Sequence, residues 1–380
     1  MPCALGEGGY EWSVAGAEII VIGGGLIGCA IARELAHGGA RVAVLERNGV
    51  GGEASGAAAG MLGAQAETSN ASMTRLGVES LALFREILPA LRDETGVEVE
   101  HWEEGTLRLA FNEADEAETA ARIAWQEAEG FRVERLSAAQ ARRLEPRISP
   151  ELRSAVLFPD DGRVDNLQLT LACAESAKRA GATVREGVTA RRVRSAGGKV
   201  TGIDSDRGVF EADIVINAAG AWAAEVLPEH PLPVRPVRGQ MVELVSAEPM
   251  FRHALYSSRG YAVARRNGRL LLGSTREEVG FDKRVTAAGM AKVLAAANEL
   301  SPELGNLRFR TAWAGLRPAS SDGLPLIGPV PELEGYYVAT GHFGNGILLA
   351  PLTARLIAQC VRGERPAWIE VVGPERLAGS

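Results

Sequence analysis

The chain has 380 residues, enough for two domains and a large buried core, so a small disulfide-stapled scaffold is excluded. Hydrophobic residues make up 46% and charged residues 23%, the composition of a folded globular protein; 41 basic against 48 acidic residues leave a net charge of −7, with no positive field to draw in nucleic acid or an anionic membrane. The excess lies in glycine, 45 residues, which signals tight turns and close backbone approaches and directs attention to a small-molecule partner.

Residues 1–17 carry neither a basic stretch nor an apolar run and read as a flexible extension rather than a signal peptide. Glu18 to Ile22 is a β-branched strand, Gly23 to Gly28 a glycine turn, Leu26 to His37 a helix and Arg41 to Glu46 a second strand, together a βαβ unit. The stretch Gly51 to Gly63 is too small-sided to build a core and must lie against something flat. Helices are predicted over Met73 to Gly96, Glu113 to Gly130, Val133 to Leu144 and Leu167 to Ala180, the last leading through Gly181 into a strand, Ala182 to Glu186, as a parallel crossover requires. Asp213 to Ala219 is another buried strand. From Val234 to Phe309 the texture changes to alternating strands (Gln240 to Val245, Tyr261 to Arg265, Arg269 to Ser274) with one helix, Ala287 to Leu300, which predicts an antiparallel sheet. Tyr336 to Cys360 returns to strand, glycine turn and long apolar helix, so the first domain is discontinuous.

Cys3, Cys29, Cys173 and Cys360 are scattered without metal-like spacing, which implies a reduced, cytoplasmic setting and no metal site. No stretch reads as a transmembrane segment. The cluster Arg191, Arg192 and Arg194 reads as a solvated strand edge.

Gly23-Gly24-Gly25-Leu26-Ile27-Gly28 fits G-x-G-x-x-G in the required setting, after a strand and opening a helix, with Glu46 closing the next strand. The glycines admit a pyrophosphate to the helix N-terminus, and Glu46 accepts from a ribose diol but would repel a 2′-phosphate. The ligand is then NAD or FAD. A second small-residue segment straight after the acidic residue favours FAD: Ser55 can bond a phosphate or ribityl oxygen, and Ala57 to Met61 can pass close to a flavin ring. The strand Ile214 to Asn217, ending in Ala-Ala-Gly-Ala, offers another backbone approach at Gly220.

Five segments then carry a specific resemblance: E-A-S-G-A-A-A-G-M-L-G-A-Q-A-E (53–67), P-V-R-G-Q-M (236–241), W-A-G-L-R-P (313–318), S-D-G-L-P-L-I-G (321–328) and G-H-F-G-N-G-I-L-L-A-P (341–351). In this order they resemble the D-amino-acid oxidase group of FAD-dependent oxidoreductases, and most closely its glycine-oxidising branch associated with thiamine biosynthesis. The resemblance implies an α/β fold with a discontinuous Rossmann-like FAD-binding domain (18–97, 151–233 and 322–380) and a substrate-binding domain on an antiparallel sheet (98–150 and 234–321). It implies oxidation of glycine and small secondary or D-amino acids by hydride transfer from the α-carbon to flavin N5, with O2 as acceptor giving H2O2. A homo-oligomer is expected.

Arg317 matches the family arginine that grips the substrate carboxylate, a task for which a planar guanidinium is suited and lysine is not. Tyr261 matches a tyrosine beside the same carboxylate, and Met61, Arg276 and His342 are further pocket candidates. FAD is expected against Gly23, Gly25, Leu26, Ile27, Gly28, Glu46, Arg47, Ala54, Ser55, Ala59, Gly60, Met61, Ala190 and Gly220. The turn and last helix add His342, Phe343, Gly344, Asn345, Gly346, Ile347 and Leu348, whose N–H groups can face the anionic edge of a reduced ring. Two positions depart from the family: Gly344 stands where a second carboxylate-binding arginine occurs, and Arg276 where an apolar residue occurs. Arg276 would either replace the missing charge or select a larger or acidic substrate. Pro318-Ala319-Ser320-Ser321 lacks the cysteine that tethers flavin in related sarcosine oxidases, so FAD is expected to bind non-covalently. Two other readings stay open, a dehydrogenase passing electrons to a quinone or carrier and a flavin-binding protein without turnover.

Overall fold

A computed structural model describes residues 17–68, 70–227 and 231–377; residues 1–16 of the expected extension lie outside the described residues. The opening run Ile19–Ile22 is a fully buried strand at the centre of a six-stranded sheet. It pairs in parallel with Val42–Glu46 on one side and Ile214–Asn217 on the other. Thr183–Glu186 extends the first side and Tyr336–Thr340 the second, both parallel, and Leu326–Pro329 closes one edge antiparallel. The strand order therefore reverses at Ile19–Ile22, and in such sheets ligands bind outside the carboxyl ends of the strands at the reversal. Here those ends are Gly23, Glu46 and the Ala218-Ala219-Gly220 turn.

One face of this sheet is packed by Leu26–His37, Asn166–Arg179, Gly346–Val361 and the long helix Ala71–Thr95. Asn70 caps the long helix by accepting from Met73 N at 2.9 Å, and Gly96 ends it in the left-handed region at φ 75°. The other face is covered by a three-stranded sheet, Ala190–Ala196, Lys199–Ser205 and Gly208–Glu211, where Arg191, Arg192 and Arg194 lie. The C-terminal helical stretch Phe343–Val361 is long and apolar enough to cross a membrane, but it is mostly buried against these neighbours.

An eight-stranded sheet forms the other half, ordered Arg308–Ser320, Val234–Val245, Arg269–Gly273, Tyr261–Ala264, Ala254–Tyr256, Thr106–Ala110, Ser154–Phe158 and Glu134–Ser137. All its pairings are antiparallel except that of Ala254–Tyr256 with Thr106–Ala110. Period-two alternation sorts its side chains: Val242, Leu244, Ala262, Ala264, Leu270 and Leu272 pack with Val293, Ala297 and Leu300 of the helix Ala287–Leu300. The opposite face carries Met241, Tyr261, Val263 and Leu271 toward Met61 and Trp313.

Two expectations need correction. Val133 to Leu144 is not one helix: Glu134–Ser137 is an edge strand on Ser154–Phe158, and a capping box of Ser137 and Gln140 then starts the helix Ala138–Leu144. The chain turns helical only where Ser137 supplies the first free N–H with a partner. Ser154–Phe158 also belongs to the eight-stranded sheet, so the boundary drawn at residue 151 falls several residues early.

Candidate active site

A cavity of about 1200 Å³ lies between the two sheets, larger than the roughly 300–1,000 Å³ of ordinary small-molecule sites. Two helix N-termini open onto it. The first, at Gly25 and Ile27, has no cap from its own N-cap residue; instead Leu26 N–H donates to Ser55 Oγ at 2.8 Å across 29 residues. The second, at Gly346 and Ile347, has no side-chain cap either. Beside the first of them stands Glu46, whose carboxylate accepts from Gly24 N at 2.7 Å and Asn48 N at 2.9 Å and keeps a lone pair on each oxygen. Anion-seeking N–H groups at both ends and an acidic hydrogen-bond acceptor at a strand end are the donor set of a dinucleotide site.

The small-residue segment is a short helical turn, Ala54–Ala57, followed by the strand Met61–Leu62, tied down through its carbonyls. Ala57 O accepts from Trp313 Nε1 at 3.0 Å and Ala59 O from Arg265 Nη2 at 2.7 Å, while Ser55 O accepts from Asn166 Nδ2 at 2.6 Å. Of the residues expected to hold the cofactor, Gly23, Gly25, Ile27, Glu46, Arg47, Ala54, Ser55, Ala59, Gly60, Met61, Ala190, Gly220 and the run His342 to Ile347 line the cavity. Leu26, Gly28 and Leu348 do not. Leu26 and Leu348 are buried in the helix layer at 1% exposure. Gly28 packs its helix onto the first turn so closely that a Cβ there would stand 2.0 Å from Gly23 O.

The wall opposite is built by the eight-stranded sheet. Arg317, paired in register with Val237, donates to Thr275 O at 3.2 Å and to Ser274 Oγ. The space for its guanidinium exists because residue 239 is glycine: a Cβ there would lie 2.3 Å from Arg317 Nη1. Tyr261 lies beside it, its hydroxyl 3.1 Å from Met241 Sδ and its ring stacked on Tyr256 at 6.5 Å. Burial holds the Tyr261 phenol above its ordinary value, against the pull of Arg317, so it stays a protonated donor. Arg276 is exposed on the cavity wall, its guanidinium 4.6 Å from the centre of the Phe343 ring, and Arg317 faces the same ring at 5.8 Å. Phe343 itself sits at φ 51°, an uncommon conformation for a bulky residue, in the turn before the last helix.

His342 is 3% exposed and its Nε2 meets Thr353 Oγ1 at 3.0 Å. Burial lowers its pKa to about 3, so the ring is neutral and braces the turn against the last helix. Gly344 is exposed, with nothing within 4 Å of where a Cβ would be. The wall residues that escaped the sequence reading of the site include Glu67, Arg108, Arg122 and Tyr256. Glu67 closes the first resemblance segment, which was the one signal for it. Burial, reinforced by Asp161 and opposed by Arg317, Arg122 and Arg108, pushes its carboxyl up to about 8. Asp161 holds the loop carrying it, accepting from Gln65 N at 2.9 Å and Ala66 N at 3.0 Å.

A parallel sheet with a dinucleotide site at its reversal, facing an antiparallel sheet that offers a guanidinium, defines the class of two-domain flavin-dependent oxidoreductases. The sequence profile of the DAO family, FAD dependent oxidoreductase, matches residues 18–360, and the chain belongs to this family, with FAD as its cofactor. It is 37% identical over 357 residues to a glycine oxidase of Geobacillus kaustophilus, covering 92% of this chain and 94% of the relative. The crystal structure of glycine oxidase from Geobacillus kaustophilus superposes with a TM-score of 0.90 at 35% identity, over 94% of this chain and 97% of that one. A bifunctional protein ThiO/ThiG of Synechocystis sp. is 35% identical over 95% of this chain, which spans 54% of that longer protein.

Proposed function

We propose that the protein oxidises glycine and small secondary or D-amino acids to the corresponding imine, hydrolysed to the oxo acid with release of ammonia from a primary amino acid or of an amine from a secondary one, with O2 reduced to H2O2. The observation that carries this is Arg317: a guanidinium pinned by Ser274 and Thr275, with neither of those contacts a carboxylate, aimed into the same cavity as two helix N-termini. Arg317 binds the substrate carboxylate as a planar fork and so fixes the orientation of the α-carbon. Tyr261 adds a hydroxyl donor to that carboxylate. Glu67, largely protonated at pH 7, adds no negative charge beside Arg317, and Met61, Met241 and Trp313 exclude water from the reacting end.

FAD, when bound, supplies the hydride acceptor and the route for electrons to O2. Gly23, Gly25, Ile27, Glu46, Arg47, Ser55, Ala190 and Gly220 would hold its nucleotide half, and Ala59 to Met61 with His342 to Ile347 its ring, without a covalent bond. The division of labour follows the two sheets: residues 18–97, 159–233 and 322–380 for the cofactor, 98–158 and 234–321 for the substrate. The likeness to glycine oxidase and to ThiO/ThiG supports a place in thiamine thiazole formation, and with it goes the proposal of a cytoplasmic homo-oligomer.

The test is anaerobic mixing of the yellow protein with glycine, sarcosine and D-alanine. Bleaching of the flavin absorbance, followed in air by equimolar O2 consumption and H2O2 release, is the expected result. Bleaching without peroxide would transfer the reading to a dehydrogenase, and no bleaching by any of the three would overturn it.

A further inference from the structure

Resting on the reading above, we propose that Arg276 is a second carboxylate anchor, so that the pocket selects amino acids bearing a carboxylate on the side chain as well as on the α-carbon. Arg276 is exposed in the cavity, and among the described residues no carboxylate lies within ion-pair distance of it. Its acidic neighbours in sequence are committed elsewhere. Glu277 accepts from Arg238 Nε at 2.6 Å and Gln240 Nε2 at 2.9 Å, and Glu278 pairs with Arg235 at 2.9 Å.

Other arginines that line the cavity are paired with carboxylates of the protein: Arg47 with Glu53 at 2.6 Å, Arg108 with Glu118 at 2.6 Å, Arg235 with Glu278, and Arg259 with Glu299, while Arg122 donates to the carbonyls of Gln65 and Thr68. Arg276 and Arg317 share a ring instead of an anion. With guanidinium carbons 4.6 Å and 5.8 Å from the Phe343 centre, the two cations are at most about 10 Å apart, the sum of those distances. Phe343 gives each a cation–π contact but cancels no charge. Two cations at this spacing repel weakly and together attract a dianion, and a ligand that pairs with both gains a charge-assisted contact that a monocarboxylate cannot make.

The backbone that leads into Arg276 is also held. Arg317 donates to Ser274 and Thr275, the two residues that immediately precede Arg276, and Thr275 Oγ1 in turn accepts from Gln240 N at 3.0 Å. The anchor for the α-carboxylate thus braces the backbone that presents the second cation. The chemistry at the α-carbon is unchanged; what Arg276 adds is discrimination, which is a difference of affinities between one carboxylate and two.

The test uses the flavin-loaded protein. Succinate and propionate, which cannot be oxidised at an amine, are titrated by the perturbation of the visible flavin spectrum, and kcat/KM is measured for D-aspartate and D-alanine. Succinate is expected to bind at least tenfold more tightly than propionate and D-aspartate to exceed D-alanine by a similar factor. Arg276→Met should bring both ratios to within about twofold of one, and Arg276→Lys should retain part of them. Flavin content and Tm establish that each variant is folded. Ratios near one in the parent protein, or ratios unchanged in Arg276→Met, overturn the proposal. If no amino acid is oxidised but the succinate preference exists and vanishes in Arg276→Met, the anchor stands and the proposed reaction falls. If glycine is oxidised while both ratios are flat, the anchor falls and the reaction stands.

Discussion

The two walls of the cavity are made in different ways. The nucleotide wall uses backbone: helix N-termini, glycine turns and strand ends, with the Glu46 carboxylate bonded to the first turn. The substrate wall uses side chains: Arg317, Tyr261, Arg276 and Tyr256, delivered by separate strands and loops of the second half, and Glu67, from the loop after Met61–Leu62. A backbone site tolerates side-chain exchange but not a change of path. A side-chain site keeps its fold under substitution and loses its chemistry, so the two walls should fail in distinguishable ways.

The largest effect is expected at Gly28. Gly28→Val places a branched side chain where a Cβ alone would approach Gly23 O to 2.0 Å, and should cost at least about 3 kcal/mol through displacement of the helix. Loss of bound flavin together with a large fall in Tm would be observed. On the opposite wall, Arg317→Leu should leave the flavin spectrum and Tm in place while raising KM for glycine about a hundredfold or more, the scale of a lost charge-assisted pair. Gly239→Ala should reproduce it in part, because the added methyl occupies the space of the guanidinium. If Arg317→Leu instead stripped the flavin, the separation of the two walls would be lost.

A smaller effect concerns pH. Glu67, with its carboxyl raised to about 8, is neutral below that pH and becomes an anion beside Arg317 above it, so KM for a carboxylate substrate should rise severalfold between pH 7 and 9. Glu67→Gln should flatten that rise. The same shift makes folding stability fall as pH rises from about 4.5 to about 8, since over that range the native chain holds a proton that the unfolded chain has released. Urea unfolding of Glu67→Gln should show a shallower decline across this range. The smallest change is Thr353→Val, which removes the hydroxyl facing His342 Nε2 and should cost about 1 kcal/mol in urea unfolding with glycine kinetics unaltered.

The same contrast explains what was legible in the chain. The first part of the nucleotide wall is local: strand, turn, helix and acidic strand end lie within residues 19–46, and periodicity with glycine spacing reads them directly. Arg317, Tyr261 and Met61 were reached through motif resemblance, and the cavity holds all three. Arg108 and Tyr256 carry no local mark, because what makes them wall residues is the pairing of Ala254–Tyr256 with Thr106–Ala110 across some 150 residues, and Arg122 reaches the cavity from the helix Glu113–Ala128. The strand Glu134–Ser137 was hidden for the related reason that an exposed edge strand exists only through its partner, Ser154–Phe158. Leu26, Gly28 and Leu348 fall inside the right motifs but on the inward side of their helices, a distinction that motif membership does not draw.

The discontinuity of the nucleotide half has a consequence for synthesis. Its central strand is Ile19–Ile22, yet the helix whose N-terminus closes the cavity is Gly346–Val361, and the strand that delivers it, Tyr336–Thr340, docks onto Ile214–Asn217. On the ribosome, the glycine fingerprint emerges more than 300 residues before the segment that completes its site. The nascent chain must therefore carry an unfinished flavin cradle through nearly all of translation, and loading of the ring can be completed only once the C-terminal helix has left the exit tunnel.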